Sequence, residues 1–165
     1  MSFCSVNELD KFSFEDCVLS KIEFPEGAVR MTLEALRVLP RNSQNTNFTE
    51  SYAGTAELLL KNAVCLSVIR EGYRYLDANG ALVSEVPDLE LPAERPEELR
   101  ETLKESYLFS VQKDPAPTDR PVWRFRFEEP KEEEFDTLPT DSYELTFAFS
   151  EAVVRWDYYL NRVDR

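Results

Sequence analysis

The chain has 165 residues, of which 42% are hydrophobic and 12% aromatic, so one domain of ordinary size can bury a core without a metal or a disulfide framework. Thirty-two acidic residues against 19 basic ones give a formal net charge of -13. This charge repels phosphate groups, which predicts no binding to nucleic acid or to an anionic membrane, and it favours a basic partner or a cation. The alternative is that the acidity only keeps the protein soluble. We expect a single domain over residues 1–165.

The cysteines and the N-terminus predict the compartment. Cys4, Cys17 and Cys65 are odd in number and widely spaced, a pattern typical of free thiols in a reducing environment. The first residues show neither the basic region nor the apolar region of a signal peptide. The sequence therefore predicts a cytoplasmic protein.

In the N-terminal third, the pattern predicts one short helix and then strands. Ser5 and Glu8 have capping-box spacing, which indicates a helix of one or two turns. From Asp16 onward apolar residues alternate with polar ones, as in strands with one buried face. The apolar phase changes near Ala35, which predicts a β-bulge there.

The middle of the chain predicts a long loop, further strands and a hairpin. Residues 40–52 are polar and without period, whereas residues 56–68 place apolar side chains on even positions. Asn79 and Gly80 lie between strand-like segments and predict a type I′ hairpin turn. A calcium loop is the alternative for this turn, but Tyr75 and Val86 occupy the positions where an EF-hand needs its first and last acidic ligands.

One helix is predicted over residues 96–107. Pro96 suits the first helical position, and Leu99, Leu103 and Tyr107 recur at four-residue spacing. The last 45 residues alternate most regularly, with Trp123 and Trp156 on the apolar phases of their strands. The expected fold is mainly β, an α+β borderline case: an antiparallel barrel or sandwich of about eight strands with the helix packed on it.

The absence of histidine excludes several chemistries. Without it the chain has no Ser-His-Asp or Cys-His arrangement and no histidine-liganded metal site, and its four glycines form no phosphate-binding loop. We therefore expect no catalytic residue, no metal and no cofactor, and a protein that is not an enzyme. A hydrolase that uses two carboxylates alone stays open as an alternative.

Two groups of residues are candidates for binding. An acidic run and an aromatic residue near the C-terminus are candidates for contact with a basic partner: Glu128, Glu129, Glu132, Glu133, Glu134 and Tyr159. The competing interpretation of the run is a solvated turn, and that of most of the aromatic residues is core packing; Tyr159 has the phase of an exposed one.

Three arginines, Arg124, Arg126 and Arg155, are predicted to form a basic stripe on neighbouring strands. Such a stripe holds a carboxylate or phosphate by paired hydrogen bonds. The alternative is that Glu144 and Asp157 neutralise these arginines across the strands.

Residues 12–22 (FSFEDCVLSKI) combine aromatic residues, a short polar pair ending in Asp16 and alternating apolar residues. The segment resembles the first strand of several small bacterial families, some uncharacterised and some immunity proteins that neutralise polymorphic toxins. In those families a histidine usually precedes the aspartate; Glu15 stands there in this chain. The resemblance implies no catalytic residue and points to a protein-binding role.

These observations predict a non-enzymatic binding protein, an immunity-type inhibitor that engages a basic protein through an acidic surface. The alternative is a β domain that binds a small ligand or a carbohydrate through exposed aromatic side chains.

Overall fold

The computed structural model describes residues 3–115, 118–130 and 141–162, and these are mostly antiparallel β-strands. In chain order the strands are β1 (Phe3–Val6), β2 (Phe12–Ser13), β3 (Val18–Glu23), β4 (Ala28–Glu34), β5 (Arg37–Val38), β6 (Ser51–Ala53), β7 (Ala56–Lys61), β8 (Val64–Arg70), β9 (Tyr73–Leu76), β10 (Leu82–Val86), β11 (Leu89–Leu91), β12 (Ser106–Lys113), β13 (Val122–Glu128), β14 (Ser142–Ala148), β15 (Glu151–Trp156) and β16 (Tyr159–Arg162).

Ten of these strands form one sheet in the order β1-β15-β7-β4-β3-β12-β13-β14-β8-β11. The two halves of the sheet meet where β3 and β12 pair through only two residues each. Side chains from both halves, such as Leu58 of β7 and Phe125 of β13, lie in one buried cluster. Strands β1 and β11 are the two free edges within the described residues. The predicted mainly antiparallel fold is confirmed, and it is a sandwich rather than a closed barrel.

A second sheet of four short strands, in the order β16-β6-β5-β2, lies beside the sandwich. After β4 the chain turns into this small sheet at Ala35, which has a positive φ of 58°. Strand β4 ends one residue earlier in the large sheet, and β5 begins two residues later in the small one. The phase change near Ala35 is therefore a corner between two sheets, not the predicted bulge. The described residues form sixteen strands where the sequence suggested about eight, and several of the sixteen are only two to four residues long.

The core follows the predicted alternation. Phe125 and Phe147 are fully buried on paired strands and meet edge to face with ring centroids 5.8 Å apart. Cys17 is also fully buried, and burial raises the pKa of its thiol to about 12. Cys17, Cys65 and Cys4 are all free, as predicted.

The helix is shorter than predicted. A 3₁₀ turn over Pro96–Leu99 continues into a single α-helical turn, α1 (Arg100–Leu103). Lys104 has extended backbone and Glu105 has a φ of 64°, and β12 begins at the next residue. Tyr107 consequently lies on a strand opposite Glu128. Pairing with β13 outweighs the helical spacing, because the segment after Glu105 is rich in strand-forming residues.

A partly buried carboxylate holds the long loop to the N-terminus. Glu8 accepts hydrogen bonds from Ser5 Oγ (2.5 Å), from the backbone nitrogen of Ser43 (3.1 Å) and from Ser43 Oγ (2.7 Å), and it pairs with Lys11. Burial opposes ionisation of Glu8, yet these donors hold its pKa below the ordinary value. The two capping-box residues do interact, but only one 3₁₀ turn, Leu9–Lys11, follows them.

Candidate functional site

A two-stranded ribbon leaves the edge of the sandwich. Strand β8 pairs with β11 inside the large sheet, and the same two chain segments continue as β9 and β10, which pair only with each other among the described strands. We call residues 73–86 the arm. Its turn is formed by Asp77, whose Oδ1 accepts hydrogen bonds from the backbone nitrogens of Asn79 and Ala81.

The hairpin itself is confirmed, but its turn is not type I′. A type I′ turn needs positive φ at both central residues, and within residues 77–81 only Gly80 has one, at 81°. The Oδ1 atom of Asp77 accepts hydrogen bonds within the turn, as in an Asx-turn, instead of being available to bind calcium. This supports the hairpin over the calcium loop.

Close packing fixes the base of the arm. Gly72 lies so near the opposite segment that a Cβ placed on it would be 1.9 Å from the carbonyl oxygen of Val86. Its backbone nitrogen donates to Asp88 Oδ1 at 2.6 Å. Next to it, Glu71 accepts two hydrogen bonds from Arg126, at 2.7 and 2.8 Å. The arm therefore leaves the sandwich at a defined point.

The arm exposes large apolar side chains. Leu76, Leu82 and Val83 are 61%, 54% and 67% exposed. Further large apolar side chains are exposed on the arm and on the two sandwich strands that continue into it: Val64, Leu66, Val86 and Leu89. Leu76 and Leu82 are opposite each other in the ribbon, and Val83 follows Leu82. Exposed apolar residues that lie next to one another are typical of interaction sites.

Acidic residues are frequent in the arm and at its base. Residues 71–91 contain five acidic residues and one basic residue, Arg74. Arg74 is neutralised by Glu85 at 3.1 Å. The electrostatic field around the arm is therefore negative, which favours a partner with basic residues.

The predicted acidic run lies partly at the base of the arm. Glu128 pairs with Ser142, whose carbonyl oxygen accepts a hydrogen bond from the backbone nitrogen of Glu71. Burial and the neighbouring carboxylate of Asp141 raise the pKa of Glu129. Glu132, Glu133 and Glu134 lie outside the described residues.

The predicted basic stripe does not form. Arg126 is held by Glu71, and its guanidinium lies 4.9 Å from the ring centroid of Phe109. Arg124 lies on the same strand, but Arg155 is on β15, which four strands separate from β13 in the large sheet. Hydrophobic period shows which residues share a face of a strand but not which strands are neighbours, and this explains the error.

Tyr159 is packed rather than exposed. Its ring lies against Phe3, with centroids 4.9 Å apart, and its hydroxyl donates to the carbonyl oxygen of Gln44 at 2.9 Å. Tyr158 is the exposed residue of the two. The alternation of buried and exposed side chains reverses between Trp156 and Tyr159. This happens because β15 ends at Trp156 and the chain crosses into the small sheet before β16 begins.

The apolar residues of the arm were not singled out from the sequence as a site. A signal was available, because Leu82 and Val83 place apolar side chains on both faces of one strand directly after a turn. A strand of a simple two-layer fold usually has one polar face, so apolar residues on both faces indicate a second contact surface.

The described residues provide neither a cluster of metal ligands nor a membrane-spanning helix. In the described ranges, no three acidic or cysteine side chains are grouped closely enough to hold a metal ion. The same ranges contain no helix with the length and apolar character needed to cross a membrane. No known protein family, no curated protein and no solved structure matches the chain.

Proposed function

We propose that this chain is a non-enzymatic binding protein whose arm docks on a basic protein partner. The observation that carries the proposal is the exposure of Leu76, Leu82 and Val83 on a ribbon with a fixed base. Close packing fixes the base of the ribbon, so binding costs less conformational entropy than it would for an unstructured segment, and more of the contact energy appears as affinity.

Charge selects the class of partner. Exposed apolar residues provide contact area, and the acidic residues around them steer basic surfaces toward the arm. A second copy of this chain fits poorly, because two molecules that each carry a formal charge of -13 repel each other. A partner with an apolar centre and a basic rim matches both properties of the arm.

An inhibitor that covers a basic surface of its target acts in this way, and this is the role to which the resemblance of residues 12–22 points. An immunity-type protein needs only to bind its target and requires no catalytic residue of its own. The absence of histidine from the sequence agrees with such a role, and a cytoplasmic location fits the three free thiols.

The test compares three forms of the full chain as immobilised bait in extract from the source cells. These are the native protein, the arm variant Leu76→Ser/Val83→Ser, and the control Phe48→Ser. Phe48 is the matched control because it is 91% exposed and lies in the loop between β5 and β6, outside the arm. This loop is shorter than the predicted 40–52, because β6 begins at Ser51. Unchanged melting temperatures must first show that all three forms fold alike.

The proposal requires one protein with a basic surface that the native chain and Phe48→Ser retain and the arm variant releases. After purification, that protein should bind the arm variant at least about tenfold more weakly, and its affinity should fall as salt rises. Equal affinity for the arm variant overturns the proposal, as does sedimentation showing that the arm joins two copies of this chain.

A further inference from the structure

A second feature lies far from the arm, at one end of the sandwich. There a cleft of about 360 Å³ separates β13 from the segment that follows β1. Buried Leu9, Phe149 and Ala152 line it together with Trp123, which is partly exposed. This volume is at the lower end of the usual range for small-molecule sites.

Three polar side chains surround this apolar cleft. They are the amide of Asn7, the carboxylate of Asp10 and the ammonium group of Lys113. The hydrogen bonds and ion pairs of the described residues include none from the Asp10 carboxylate or the Lys113 ammonium, so both are available to a ligand.

Two hydrogen bonds to Ala152 fix the position of Asn7. Its backbone nitrogen donates to the carbonyl oxygen of Ala152 at 2.8 Å, and its Oδ1 accepts from the backbone nitrogen of Ala152 at 2.9 Å. Its φ of 55° is in the left-handed region, which asparagine adopts more readily than most residues. With Oδ1 engaged, the NH₂ end of the amide remains as a donor of fixed direction.

We propose that this cleft binds a single pyranose sugar unit. A pyranose has an apolar face of C–H groups, which packs on an aromatic ring, and a rim of hydroxyl groups that both donate and accept hydrogen bonds. Trp123 provides the ring, Asp10 accepts from hydroxyls, and Asn7 and Lys113 donate to them. The small volume selects one sugar ring over a longer chain. This site is independent of the arm and of the function proposed for it.

The two tryptophans make the test direct. Trp156 is 2% exposed, so Trp123 is the residue whose fluorescence a ligand in the cleft changes. The full chain is titrated with methyl glucoside, methyl galactoside, methyl mannoside and N-acetylglucosamine, with saturation-transfer NMR as a readout that needs no tryptophan. At least one sugar is expected to change the fluorescence saturably and to protect Trp123 from acrylamide quenching.

Asp10→Asn and Lys113→Gln are each expected to weaken that binding by about tenfold, because each removes a charge-assisted hydrogen bond. Lys104→Gln, an exposed lysine outside the cleft, is the matched control and should bind as the native chain does. The proposal fails if no sugar binds in either readout, or if Asp10→Asn and Lys113→Gln both bind as tightly as the control. Neither result bears on the arm and its protein partner.

Discussion

The sandwich and the arm are built from similar strands but place their apolar side chains in opposite environments. Leu58 and Leu60 of β7 are fully buried, whereas Leu82 and Val83 of β10 are more than half exposed. The difference arises because the side chains of β7 lie in the buried cluster, whereas β9 and β10 pair only with each other among the described strands. Apolar residues in the sandwich therefore stabilise the fold, and those in the arm are available for binding.

An isolated two-stranded hairpin is marginally stable in water. The arm keeps its place because its base is attached to the sandwich through Gly72, Asp88 and the pair between Glu71 and Arg126. The contrast between the two regions can therefore be tested by changing the core, the junction and the charges separately.

The largest effect is expected from a core substitution. Phe125→Ala leaves a cavity beside Phe147 and should lower the free energy of unfolding by about 3–5 kcal/mol. Val83→Ala in the arm removes an exposed side chain and should change it by no more than about 0.5 kcal/mol. Urea denaturation measures both. Similar losses for the two variants would show that the arm is packed like the core.

A smaller effect is expected at the junction. Gly72→Ala places a methyl group against the backbone of Val86 and Pro87, so the two segments must separate, at a cost of about 1–3 kcal/mol. The loss should be local, with faster hydrogen exchange at the paired amides of the arm and unchanged exchange in β13 and β14. Ser84→Ala, within the arm, is the control. Exchange in the arm at the native rate would contradict the role of Gly72.

The smallest effect is expected from a carboxylate on the sandwich. Glu8→Gln should cost about 1 kcal/mol at neutral pH, because it weakens the hydrogen bonds from Ser5 and Ser43. Glu85→Gln, in an exposed ion pair of the arm, should cost less than about 0.5 kcal/mol.

The pH dependence of stability tests the contribution of Glu8. The folded pKa of Glu8 lies below its ordinary value of 4.5, so its ionisation stabilises the protein above that pH. This stability is lost as the pH falls through the lowered folded value. The difference between the native protein and Glu8→Gln should therefore shrink below about pH 4.5. A difference that stays constant down to acid unfolding would show that the shift is absent.

Several features were predictable because they depend on neighbouring residues in the chain. The Asn79-Gly80 hairpin and the buried positions of Phe125 and Phe127 follow from local turn chemistry and from a period of two. The helix predicted over residues 96–107 was too long, because a local pattern cannot show pairing with a distant segment. The spacing of its apolar residues fits a helix, but the pairing of β12 with β13 places residues 106–107 in a strand.

The candidate sites were harder to predict. The acidic character around the arm is visible in composition, but the exposure of Leu82 is not, because it depends on whether another strand covers that face. Tyr159 was wrongly expected to be exposed because its environment changes where the chain passes from one sheet to the other. The cleft at Trp123 brings together residues more than 100 positions apart in sequence.

The sequence by itself determined the strand-rich character of this protein, its net charge, its lack of histidine chemistry and the positions of most buried side chains. These follow from residue types and from the two faces of each strand. Only the tertiary structure decided which strands are neighbours, where the ribbon leaves the sheet and which residues surround the cleft. Sheet order depends on contacts between distant segments, and the alternation along one strand carries no information about its neighbour.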